Sequence, residues 1–158
     1  MTVLKLQDKA PSFEGVSKGK IIKLEDFKDQ YLILYFYPKD NTPGCTIEAR
    51  DFESLRHKFE KLTAHIVGVS KDSAQSHDNF CQKHSLNFDL IADEDGVICQ
   101  KYGVLKEKSM FGKKYMGIDR ATFLINPEGK IEHIWPSVSF FGHAQEVLDR
   151  LHQSVQLL

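Results

Sequence analysis

Only three cysteines occur in the 158 residues, Cys45, Cys81 and Cys99. An odd number of widely separated thiols does not make the disulfide framework of a small secreted domain. No two of them stand as Cys-x-x-Cys, which excludes a reductase built on a closely spaced dithiol. The seven histidines, His57, His65, His77, His84, His133, His143 and His152, are scattered. They form no His-Glu-x-x-His or Cys/His grouping of metal-ligand spacing, so they read as ordinary surface or core residues and no metal or cofactor is expected. Charge of one sign is also lacking: 21 basic against 22 acidic residues leave a net charge of −1. Nothing electrostatic therefore calls for nucleic acid or a membrane surface. No apolar run approaches the length of a bilayer span. Residues Met1 to Asp8 hold no basic segment followed by an apolar stretch, so no secretory signal is read there. A reducing cytoplasm is the expected compartment.

Glycine and proline are few, ten and five, and fall at punctuation points rather than in linkers. With 41% hydrophobic and 11% aromatic residues, the chain has enough apolar material for a core, and its length suits one domain over residues 1–158. Lys20 to Lys23 reads as a short strand. Leu32-Ile33-Leu34-Tyr35-Phe36-Tyr37 is almost wholly apolar, and Tyr31 to Tyr37 reads as a strand covered on both faces. Ile47, Phe52, Leu55, Phe59 and Leu62 then recur at helical spacing, predicting a helix from Cys45 to Leu62. Ala64 to Val69 returns to a strand, so the three elements form a parallel βαβ unit. Asp72-Ser73 caps a helix running through Cys81 to about His84. Phe88 to Ala92 reads as a strand and Val97 to Tyr102 as a short helix. Two strands flank the turn Asn126-Pro127-Glu128-Gly129 as a hairpin, and a helix from His143 to Val155 closes the chain. The fold class is α/β, and this order is compatible with a thioredoxin-like architecture, a central mixed sheet flanked by helices.

Within that frame Pro38-Lys39-Asp40-Asn41-Thr42-Pro43-Gly44-Cys45 ends a strand in a tight turn and delivers a thiol where a helix begins. Unpaired N–H groups and the positive end of the helix dipole favour a thiolate over a thiol there. A buried, inert cysteine is the bland alternative.

The segment Tyr35 to Thr46 resembles the peroxiredoxin signature, in which a Pro, a Thr and the peroxidatic Cys have fixed spacing; Pro38, Thr42 and Cys45 match it. Lys113 to Ile125 is similar to the segment that carries the family's active-site arginine, here Arg120, in the form found in the bacterioferritin-comigratory-protein or PrxQ branch. Ala10-Pro11-Ser12-Phe13 and Ala92-Asp93-Glu94-Asp95-Gly96 also fit, so the resemblance covers nearly the whole chain. It implies a thiol peroxidase for hydrogen peroxide and organic hydroperoxides, with thioredoxin, or glutaredoxin or glutathione, as reductant, in a monomer or weak homodimer. The residues suit that chemistry. Cys45 supplies the nucleophile, the Thr42 hydroxyl can reach the same pocket, and Arg120 offers a charged fork to thiolate and peroxide. By the same analogy Pro38 walls the pocket. Glu48 could orient Arg120, but reads first as an acid in the helix's first turn complementing the dipole.

A sulfenic acid on Cys45 must condense with a second thiol or be reduced directly before it over-oxidises. The resemblance suggests one five positions on, but Arg50 stands there. Cys81, 36 positions after Cys45, matches the place where other members of the branch carry a resolving cysteine. Cys99 reads as a structural thiol. A Cys45–Cys81 bond between two helices would require the start of the Cys45 helix to unwind. The alternatives are a 1-Cys peroxidase recycled by an external thiol, and a non-enzymatic redox-switched holdase or sensor.

Overall fold

The computed structural model describes residues 3–156. A hairpin, β1 (Glu14–Ser17) against β2 (Lys20–Lys23), leads through a 3-10 turn at Leu24–Phe27 to β3 (Tyr31–Phe36). Helix α1 (Pro43–Lys61) crosses over to β4 (Ala64–Ser70), which pairs in parallel with β3. Helix α2 (Ala74–His84) then crosses to β5 (Asp89–Ala92), parallel to β4. After the short helix α3 (Val97–Lys101) come an arm, β6 (Leu105–Met110) with β7 (Lys113–Ile118), the hairpin β8 (Ala121–Ile125) and β9 (Ile131–Trp135), and helix α4 (His143–Gln156). The central sheet runs β5-β4-β3-β8-β9, with β8 antiparallel to β3. This is the thioredoxin-like arrangement that the element order suggested.

Every residue of β3 is buried because its two faces serve two cores. Tyr31, Ile33 and Tyr35 point, with Tyr37 just beyond, to one side, against Ala49, Phe52 and Phe59 of α1, Phe80 and Cys81 of α2 and Val147, Leu148 and Leu151 of α4. Leu32, Leu34 and Phe36 point to the other, against Ile98 and Cys99 of α3, Tyr102, Phe123 and Ile22. Burying a side chain of this size contributes about 1.5–3 kcal/mol, so this strand is the chief anchor of the molecule.

Several boundaries shift by one or two residues from the sequence reading, and three elements are new. β3 stops at Phe36, although the Tyr37 N–H still donates to the Val69 carbonyl at 3.1 Å. α1 begins two residues earlier, at Pro43, because a proline has no N–H to lose at the first helical position. β4 runs one residue further, to Ser70. β1 and the β6–β7 arm carry no apolar alternation: most of their residues are exposed, so hydrophobic patterning does not mark them. Ser73 does cap α2, its hydroxyl accepting from the Ser76 N–H at 3.1 Å. No helix among the described residues is long and apolar enough to cross a membrane.

Candidate active site

The turn after β3 is held in shape by its own backbone. Asn41 takes a left-handed conformation, φ 65°, which asparagine tolerates better than most residues. Thr42 is extended and Pro43 opens the helix. The Thr46 N–H and hydroxyl both bond the Thr42 carbonyl, at 2.9 and 2.8 Å, which closes the first turn. Cys45 is therefore the third residue of α1, among the N–H groups that have no intrahelical partner. A side chain at Gly44 would bring its Cβ to 2.6 Å from the Phe140 ring. Glycine thus lets that aromatic ring lie against the backbone just before the cysteine.

Pairing of β3 with β8 sets Phe36 opposite Ala121, so the residue before Ala121 emerges beside the turn. That residue is Arg120. Its Nη2 donates to Cys45 Sγ at 3.3 Å and its Nη1 to Glu48 Oε1 at 2.6 Å. The Arg120 side chain is 13% exposed and Glu48 is fully buried. The Arg120 carbonyl accepts from the Val138 N–H at 2.7 Å, which pins its backbone, and the Phe140 ring centre lies 5.5 Å from the guanidinium carbon.

The favoured sequence reading of Glu48 is corrected here. It is no solvated first-turn acid but a buried partner of Arg120, one helical turn beyond Cys45 on the same face. Burial pushes its carboxyl up to about 7 against the pull of Arg120, and its Oε2 has no hydrogen-bond partner among the described residues. One fixed cation thus stands between a carboxylate and a thiol sulfur, and at Glu48 its attraction only partly offsets the effect of burial.

Two other expectations meet a different geometry. The Thr42 hydroxyl donates to the Lys39 carbonyl at 2.9 Å and not to Cys45, because a tight turn offers its threonine the carbonyl three residues back. Cys45 is only 1% exposed, a nearly closed position for a thiol expected to act as a nucleophile. Pro38 is half-buried two residues beyond the end of β3.

Cys81 lies on α2 in the same core as Cys45, whereas Cys99 lies in the core on the opposite face of the sheet. All three are free and buried. Burial pushes the Cys81 thiol up to about 11, Lys18 drawing it down a little. Burial also raises the Cys99 thiol, and the nearby Asp93 adds to the effect. Tyr35 lies in the same core as Cys45 and Cys81, and its buried hydroxyl is unpartnered among the described residues. Its ionisation is pushed well up, first by burial and then by Glu48, Cys45 and Cys81.

Sequence reasoning missed Phe140, whose only signal was an aromatic pair in a loop ahead of Gly142. It also passed over two histidines. His143 bonds Thr122 Oγ1 through Nε2 at 2.8 Å, and His77 is buried against Asp40 at 2.7 Å. Neither bond is marked by spacing, because Thr122 and Asp40 come from other elements.

A model of the AhpC/TSA family matches residues 6–134. A peroxiredoxin Bcp from Xanthomonas campestris is 45% identical over 154 residues, covering 96% of each chain. A solved structure of the bacterioferritin comigratory protein of X. campestris, reported in connection with its alkyl peroxide reduction activity, is 42% identical with a TM-score of 0.89 and covers 97% of each chain. Peroxiredoxin Q of the same organism has been solved as two cysteine-to-serine variants, both with a TM-score of 0.87, at 42% and 43% identity. They cover 97% and 96% of this chain and 98% of their own, and the two substituted cysteines are 36 positions apart.

Proposed function

Because the chain belongs to the AhpC/TSA family, as a thiol peroxidase of the Bcp/PrxQ peroxiredoxin branch, we propose that Cys45 is its peroxidatic residue and Cys81 its resolving one. The observation that carries the reading is the Arg120 guanidinium, 3.3 Å from a helix-start sulfur and held from behind by Glu48.

Cys45 attacks as the thiolate. Its sulfur takes one oxygen of the peroxide as the O–O bond breaks, and the other oxygen leaves as alkoxide or hydroxide and gains a proton. Arg120 stabilises first the thiolate and then charge on the departing oxygen. The Thr42 hydroxyl turns from Lys39 towards the substrate, and Pro38 and the Phe140 ring keep water away. Cys45 is then a sulfenic acid. Cys81, as thiolate, attacks that sulfur and hydroxide departs, leaving a Cys45–Cys81 disulfide.

Three facts support Cys81 over Cys99. It shares a core with Cys45, Cys99 lies beyond the sheet, and the separation of 36 positions equals that between the two cysteines substituted in the X. campestris protein. Both Cys45 and Cys81 are buried on intact helices, so the start of α1, and the α2 turn around Cys81, unwind before they meet. The disulfide is opened by an external dithiol, for which thioredoxin is the proposed donor. A monomer or weak dimer of one domain in the cytoplasm is the proposed setting.

Stopped-flow peroxide consumption with thioredoxin and its reductase tests the assignment. Cys45→Ser abolishes turnover. Cys81→Ser leaves the first oxidation of Cys45 intact and stops thioredoxin-linked cycling. Normal cycling in Cys81→Ser would transfer the resolving role elsewhere.

A further inference from the structure

Asp40 lies in the turn that leads to Cys45, and His77 lies on α2 one turn before Cys81. Their side chains are 1% and 3% exposed, and His77 Nδ1 is 2.7 Å from Asp40 Oδ2. The same carboxylate accepts from the hydroxyls of Tyr37, at 2.6 Å, and Ser76, at 2.8 Å. The Asp40 N–H in turn donates to Asp72 Oδ2 at 2.8 Å. Burial disfavours the charge on Asp40, but hydrogen bonds from His77 and Tyr37 outweigh it and hold the carboxyl below its ordinary value.

Both ring nitrogens of His77 face only acceptors. Nδ1 faces the Asp40 carboxylate and, at 3.3 Å, the Tyr37 oxygen, whose hydrogen is committed to Asp40 Oδ1. Nε2 faces the Ile91 carbonyl of β5 at 3.0 Å and, at 3.4 Å, the Ser70 hydroxyl of β4, whose hydrogen is committed to Asp72. A neutral imidazole would turn a lone pair towards one of these acceptors, whereas an imidazolium satisfies both sides. Asp40, Asp72 and His77 bring ligand-type atoms within 4.8 Å of one another, yet these internal hydrogen bonds already engage the side chain of each.

We propose that His77 is a positioning residue: held as an imidazolium between the Asp40 carboxylate and the Ile91 carbonyl, it clasps the Cys45 turn to the Cys81 helix and sets how readily the two let go. The inference rests on the reading of Cys45 and Cys81 as a redox pair. A disulfide requires Cα atoms within about 7 Å, and a turn and a helix bound to each other through a buried charged hydrogen bond resist the unwinding that brings the two cysteines there. While the clasp holds, the turn keeps the geometry for attack on peroxide. The sulfenic acid meanwhile stays exposed to a second peroxide, which oxidises it to sulfinic acid and is itself reduced to water or alcohol. Release of the clasp favours the disulfide instead.

Three readouts on the full chain test this. Nitrogen-15 spectra of the reduced wild type at pH 7.5 are expected to show protons on both His77 nitrogens; one unprotonated nitrogen would overturn the imidazolium clasp, and this readout needs no variant. Hydrogen exchange in reduced Asp40→Asn, His77→Gln and the double variant is expected to rise about tenfold or more in segments 38–46 and 74–85 together, the double exceeding neither single. Loosening confined to one segment, or additive in the double, would contradict a shared clasp. Mass spectrometry after excess peroxide is expected to show several-fold less Cys45 sulfinic acid in each single variant than in the wild type, and an unchanged or larger fraction would contradict control of the parting. If the wild type forms no Cys45–Cys81 bond, the redox pairing fails, while the first two readouts still decide whether the clasp exists.

Discussion

Arg120 carries two loads with one planar group, and that makes it the residue least open to conservative exchange. One nitrogen reaches Cys45 Sγ and the other Glu48 Oε1, a fork that a lysine ammonium cannot reproduce. Arg120→Lys is expected to lower kcat/KM for peroxide by about 100-fold or more, measured by stopped-flow oxidation of Cys45. A loss below about tenfold would mean that charge alone suffices. Glu48 gives a second prediction. Its carboxyl is raised in the folded state to about 7, so the native state holds the proton more tightly than the unfolded chain. Its contribution to stability is therefore fullest below the ordinary carboxylate range and declines as pH rises towards 7. The expected decline is about 3 kcal/mol between pH 4 and 8. Urea denaturation of Glu48→Gln across that range is expected to lack this slope, and an unchanged slope would place the titrating group elsewhere.

Among the elements, α1 and α2 were legible from the sequence and the β6–β7 arm was not. α1 repeats Phe52, Leu55 and Phe59 towards one core, and α2 begins at a serine cap. The arm has no buried face and so no pattern to read. Ser73→Ala is expected to cost about 1 kcal/mol in urea denaturation and to fray the first turn of α2, which holds Ser76 and His77. No change in stability would show that the cap bond contributes little. The site was half legible for a related reason. Pro38, Thr42 and Cys45 are neighbours in sequence, so a local motif marks them. Glu48 and Arg120 meet across 72 positions and Asp40 and His77 across 37. Those meetings are set by how β8 and α2 dock on β3 and β4, which no local pattern encodes.

At the scale of the whole molecule, the central sheet separates the cysteines into two compartments. Cys45 and Cys81 share the core under α1, α2 and α4, while Cys99 lies in the core on the other side. A disulfide to Cys99 would have to pass the buried sheet, whereas one to Cys81 needs only local unwinding of two helices on the same face. Oxidation is thus expected to loosen one layer and leave the other standing. Far-ultraviolet circular dichroism is expected to show a loss of about one or two helical turns on disulfide formation, restored by dithiol. An undiminished helix content with the bond in place would contradict the unwinding. The most direct test of the account is peptide mass spectrometry of the full chain after one equivalent of peroxide. The account predicts a Cys45–Cys81 linked peptide with Cys99 as free thiol; a Cys45–Cys99 link, or a lasting sulfenic acid on Cys45 with no link, would contradict it.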